Sequence, residues 1–272
     1  MGLSRWLDAK MLAWSQSRWL TQTAIQYYCA ACGIICSLMF LLAFVAADFI
    51  APIKPWWSAE QTARHYQEHT AGVHGGAALF IVSGMFYLPF SAAISYQMRR
   101  VPNLPYLVHQ LQLASAAAGV WTFMLPGIIL GVTAYRPYRD PEITQVMSDF
   151  FWLCALIPWP TFMVQNFAFS YAIILDRRPK PLFPREVAVA NILSPILFTP
   201  GIGMHCTLTG PVAFNGALGF WLPGVLFCTQ LVFDSVFLIR SVRNEARELE
   251  EKALQNIGGG GDGSKASDNG VV

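Results

Sequence analysis

The chain has 272 residues and a formal net charge of +2 at neutral pH, with 54% hydrophobic residues and only 12% charged. A water-soluble domain carries nearer 25% charge, so lipid rather than water is the expected solvent for most of this surface. No run of Lys and Arg is interleaved with aromatic residues as a nucleic-acid groove requires, so nucleic acid is not an expected partner.

Residues 1–23 place Leu3, Trp6, Leu7, Met11, Trp14 and Arg18 at helical spacing, with Trp19 and Leu20 beyond. That pattern suits an amphipathic helix lying in the headgroup layer, and equally an ordinary helix leading into the membrane. Arg5, Asp8, Lys10 and Arg18 interrupt any continuous apolar core, and no small-residue cleavage site follows. The segment is therefore expected to stay uncleaved.

A bilayer span needs about 20 predominantly apolar residues. Stretches free of Asp, Glu, Lys and Arg cover residues 24–47, 75–98, 110–135, 150–175 and 187–233. The last is too long for one span, and Gly210, Pro211, Asn215 and Gly216 form a turn cluster within it. It reads as two helices, residues 187–204 and 215–239. The expected fold is an all-α integral membrane bundle of six transmembrane helices filling residues 24–240. Residues 241–257 read as a short solvated helix, and the Gly, Ser and Asp content of residues 258–272 reads as a disordered tail.

Basic residues set the orientation. Fourteen of the eighteen fall in the N-terminal segment, the loops after spans two and four, and the C-terminal segment; only Lys54, Arg64, Arg136 and Arg139 lie on the other side. Both termini are thus expected in the cytoplasm. Cys29, Cys32, Cys36, Cys154 and Cys228 lie inside apolar stretches, where small thiols suit helix contacts rather than a disulfide framework.

The outward loop, residues 48–74, holds His65, His69 and His74. The string His65-Tyr-Gln-Glu68-His69 reproduces the H-x-x-E-H arrangement of inverted zinc peptidases. Residues four apart share a helix face, so two imidazoles are placed to grip zinc or iron while Glu68 activates water, with His74 or His205 as a third ligand. Three fixed positions recur by chance, however, and peptidases of that class need a large soluble scaffold, so peptidase activity is not expected.

Proline marks a second candidate. Pro126, Pro158, Pro160, Pro200 and Pro223 all fall in the outer halves of spans three to six, where each removes a backbone hydrogen bond. Bends at one depth would splay the bundle into an outward cavity for a small lipophilic molecule, with Asp48 and Asp149 capping spans beside it. Asp234 is the clearest ionisable residue within a span, close enough to Arg240 to pair with it at the inner interface. Gln97, Gln165, Asn166, Asn191, Asn215 and Gln230 are expected to bond between helices, and Gly127 with Gly131 to allow a close helix contact.

The strings Trp57-Ser-Ala-Glu-Gln61, Gln97-Met-Arg-Arg100, Ala134-Tyr-Arg-Pro137, Asp176-Arg-Arg-Pro-Lys-Pro-Leu-Phe-Pro184 and Gly210-Pro-Val-Ala-Phe-Asn-Gly216 resemble those of a group of uncharacterised bacterial multispanning membrane proteins. The resemblance covers about residues 35–240 and implies six spans in a bacterial inner membrane. It implies no activity. Three functions follow from the residues: a module binding or helping to transport a small lipophilic molecule, a membrane enzyme with a metal on its outer face, and a structural subunit packed against a membrane-protein partner.

Overall fold

The structure, a computed structural model, describes residues 2–259, and every regular element among them is helical. In chain order these are α1 (Gly2–Ser15), α2 (Gln22–Ala46), α3 (Ala59–Glu68), α4 (Thr70–Met98), α5 (Tyr106–Gly119), α6 (Trp121–Tyr135), α7 (Pro141–Leu156), α8 (Pro160–Leu175), α9 (Arg185–Leu197) and α10 (Leu222–Gly259). Six helical stretches are long and apolar enough to cross a membrane: Gln22–Ala46, Thr70–Met98, Tyr106–Tyr135, Pro141–Leu175, Arg185–Cys206 and Ala217–Gln255.

The first span shows why lipid is the fitting solvent. One face of α2 buries Gly33, Cys36, Ser37, Phe40, Ala43 and Phe44, the i, i+3, i+4, i+7 stripe of a packed helix. Its opposite face exposes Leu38, Leu41, Leu42 and Val45. A helix apolar on both faces belongs in hydrocarbon, because water would penalise the outer stripe by about 25 cal/mol per Å² of apolar surface.

Helix α4 is the centre of the bundle, packing on both α2 and α6. Small residues make these approaches possible. A Cβ at Gly76 would lie 2.7 Å from the carbonyl oxygen of Ala43 on α2, and one at Gly127 would lie 2.7 Å from Ile81 and 3.0 Å from the carbonyl of Ala77 on α4. Phe40 and Phe80 meet edge to face at 5.3 Å, and Phe44 and Phe80 at 4.9 Å. The loop around Gly210, which adopts φ +90°, folds back to stack Phe214 on Trp152 at 5.2 Å.

Two features depart from the segmentation above. Spans three to six are not single rods: they break at Val120, between Leu156 and Pro160, at Phe198, and in a π-helical turn at Ala217–Trp221. The stretch expected as a separate helix over residues 241–257 instead continues α10 without interruption. It is pinned there because Arg100, at the end of α4, bonds Glu248 at 2.8 Å while Gln97 bonds Glu245 at 2.7 Å. Of the tail expected over residues 258–272, the part from residue 260 onward lies outside the described residues.

Buried polar groups join the helices. Asp234 pairs with Asn191 of α9 and Gln230 of its own helix at 2.8 and 3.0 Å, not with an arginine. Gln97 reaches Gln26 at 2.6 Å, and Tyr87 donates to Gln165 at 2.6 Å.

Candidate functional site

Three of the helix breaks converge, and the sixth span meets them just after its π-helical turn. The cleft between them is walled by Gly119, Thr122 and Phe123 from the third span, Leu156, Trp159 and Phe162 from the fourth, Phe198 from the fifth, and Pro223, Gly224 and Phe227 from the sixth. Phe40 of α2 and Tyr87 of α4 close its floor. Its volume is about 60 Å³, several times the 10–15 Å³ or so that one water requires. The walls are almost wholly apolar.

Proline chemistry explains two of the breaks directly. Pro158 and Pro160 flank Trp159, and neither supplies an N–H to the helix, so α7 ends and α8 restarts with Pro160 in its first turn. Pro223 directly follows the π-helical turn Ala217–Trp221, and its missing N–H leaves a carbonyl one turn back without its helical partner. The break at Val120 comes six residues before Pro126, and no proline marks it.

Few polar atoms face this cleft. Thr161 Oγ1 is already committed to the carbonyl of Pro158 at 3.1 Å, and Tyr87 to Gln165. The indole Nε1–H of Trp159 is buried without a partner. A buried donor left unpaired costs about 1–3 kcal/mol, and this one is enclosed by protein rather than open to the cleft.

A second apolar cleft of about 90 Å³ lies on the other side of Leu156 and Gly224, bounded also by Phe40, Leu41, Ile50, Phe220 and Val225. Leu41, Ile50 and Val225 are exposed. On helices of this composition such a rim faces lipid.

The other candidate site lies where α2 ends and α3 packs beside it. Ser58 caps α3 by accepting from the Gln61 amide at 3.3 Å, while the Gln61 side chain accepts from the Ser58 amide at 3.0 Å, a reciprocal capping box. Tyr66 donates to Ser148 at 3.1 Å and Gln145 donates to the carbonyl of Trp57 at 2.9 Å, docking α3 on α7. Burial pushes the Tyr66 phenol well above its ordinary range, so it acts here as a neutral donor.

This docking carries His65 and His69 to the end of α2, where Asp48 meets them. The ligand atoms of Asp48, His65 and His69 all lie within 4.8 Å of one another. Burial holds His65 below its ordinary pKa, with neighbouring His69 acting in the same direction and the Ala47 carbonyl opposing it. His65 stacks on Phe49 with ring centroids 5.4 Å apart.

The residues expected from sequence therefore separate. His65 and His69 come together, as their spacing suggested, but His74 is exposed on α4 and His205 is exposed in the 3-10 segment Thr199–Cys206, neither joining the cluster. Glu68 is also exposed and outside it. Asp48, expected near a cavity, is instead the carboxylate of the histidine pair, and Asp149 is exposed on α7 away from both clefts. Pro223 lines the first cleft; Pro126 is buried in α6 and Pro200 is exposed, and neither lines it.

No family model matches the chain, and no curated protein or solved structure is similar to it.

Proposed function

We propose that this multispanning membrane protein holds a small lipophilic molecule in the cleft formed by its broken helices and helps it pass between the bilayer and the face of the protein bearing α3. The observation that carries this reading is the convergence of three helix breaks and the start of α10 on one apolar space next to a lipid-facing rim. Helix interruption within a membrane is tolerated where it lines a cavity, and walls this apolar suit a molecule that is mostly hydrocarbon. The distribution of basic residues supports both termini in the cytoplasm, which would put α3 outside. The sequence resemblance supports a bacterial inner membrane as the location.

Gly224 gives the test. A Cβ there meets nothing within 4 Å, although Gly224 borders both clefts. Gly224→Phe is therefore expected to fold and to fill the space. The detergent-purified protein is extracted with organic solvent, the extract is analysed by mass spectrometry, and binding of a fluorescent fatty acid is measured. The expected result is a stoichiometric lipophilic species and saturable probe binding in the parent, both lost in Gly224→Phe. Equal extracts and equal probe binding in parent and Gly224→Phe would refute the reading.

A further inference from the structure

The end of α2 is built at a cost that its fold does not require. Phe49 N–H bonds the carbonyl of Phe44 at 2.8 Å and Asp48 N–H bonds that of Val45 at 3.1 Å, the two bonds of a Schellman cap. This cap puts Asp48 at φ 56°, in the left-handed region where Gly is the ordinary occupant. A carboxylate is doubly misplaced there, because the free carbonyls at a helix C-terminus already present negative potential. Both penalties are offset if a cation sits at this point.

The histidines are oriented as metal ligands are. His69 Nδ1 lies 3.0 Å from the carbonyl of His65, which only accepts, so Nδ1 carries a proton and Nε2 is the ring atom turned toward Asp48. That nitrogen lies 3.3 Å from Asp48 Oδ2. A ring proton or a bound metal ion can each join this nitrogen to the carboxylate. His65 is fixed in the same manner, with Nε2 3.3 Å from the carbonyl of Ala47. Backbone carbonyls that hold one ring nitrogen so that the other binds are the usual support of metal-bound imidazoles.

We propose that Asp48, His65 and His69 bind a divalent transition metal ion of the zinc or ferrous class. Two imidazoles and one carboxylate are the donor set such ions prefer over Mg²⁺ or Ca²⁺, which favour oxygen ligands. Bonds of about 2.0–2.2 Å place tetrahedral ligands a little over 3 Å apart, so atoms now within 4.8 Å close by a modest swing. Asp48 is free to make it, because its side chain is 65% exposed. Three protein ligands leave a coordination position open to water or to another molecule.

The test uses the full chain in detergent, treated with a chelator, reloaded with zinc in the presence of excess Mg²⁺, passed through gel filtration and assayed by elemental analysis and calorimetry. One zinc per chain is expected. Asp48→Gly is the informative variant, because Gly suits the left-handed cap: it should unfold at or above the parental temperature yet bind zinc at least tenfold more weakly. His69→Ala should also lose the ion, and His74→Ala and His205→Ala should retain it. The proposal is overturned by failure of the parent to keep stoichiometric zinc, which leaves Asp48 and His69 as an ordinary ion pair, or by parental zinc affinity in Asp48→Gly and His69→Ala. The cleft is probed separately by Gly224→Phe, so either result stands independently of the lipophile.

Discussion

Asn191 Nδ2 donates to Asp234 Oδ1 at 2.8 Å and at the same time to the carbonyl of Val187 at 3.0 Å, which fixes its amide in one orientation. Gln230 donates to the other carboxylate oxygen at 3.0 Å and has no second bond to hold it. The two amides therefore respond differently to substitution at Asp234. In Asp234→Asn, the new NH₂ faces Gln230, which turns its own amide and accepts. Asn191→Ala instead strips a buried acidic group of a partner and opens a small void. Thermal unfolding in detergent should show Asn191→Ala destabilised by about 1–3 kcal/mol and Asp234→Asn by less than about 1 kcal/mol. A larger loss in Asp234→Asn than in Asn191→Ala would contradict the proposed division of roles.

Adjacent glycines on α4 give a second comparison. Gly76 faces Ala43 across the α2 interface, where an added Cβ would come within 2.7 Å of the Ala43 carbonyl oxygen, whereas a Cβ on Gly75 meets nothing within 4 Å. Gly76→Ala forces two backbones apart and is expected to cost about 1–3 kcal/mol. Gly75→Ala relieves the helix of a flexible residue and should be neutral or stabilising by up to about 1 kcal/mol. Unfolding temperatures of the two variants, measured side by side, decide this.

The cap of α3 is the third. Ser58→Ala removes the acceptor for the Gln61 amide and should cost about 1 kcal/mol. The effect should be local, seen as faster amide exchange in residues 59–62 with little change in the spans.

How far the sequence reveals these features depends on the range of the interaction. The six spans are compositional, and the stripe of Cys36, Phe40 and Ala43 on α2 needs only helical periodicity. The break around Trp159 is equally legible, because Pro158 and Pro160 act on their own helix. The break at Val120 carries no proline, so nothing in its own stretch of sequence marks it. His65 and His69 are one turn apart and could be paired from spacing, but Asp48 reaches them only through the reversal after α2, which spacing does not encode. Asp234 is instructive for the same reason: Arg240 is near it in sequence, yet its partner Asn191 stands 43 residues away on α9. Ser58 and Gln61 show the opposite case, a capping box wholly visible as a four-residue pattern within the string Trp57–Gln61.

Acid sensitivity should appear at the turn between α8 and α9. Asp176 is buried, which by itself pushes its carboxyl up, but bonds from Arg178 at 2.6 and 2.8 Å and from the Leu182 amide at 2.9 Å outweigh burial and hold it below its ordinary value of 3.8. The unfolded chain therefore takes up a proton first as pH falls, and the stability that Asp176 contributes is complete above its ordinary value and lost as pH drops through the depressed one. Asp176→Asn has no such titration. Unfolding temperatures measured from pH 5 down to pH 3 should fall more steeply for the parent than for Asp176→Asn, and the variant should be the less stable of the two at pH 7. Parallel curves would mean that the Arg178 and Leu182 bonds do not distinguish the ionised carboxylate from its protonated form.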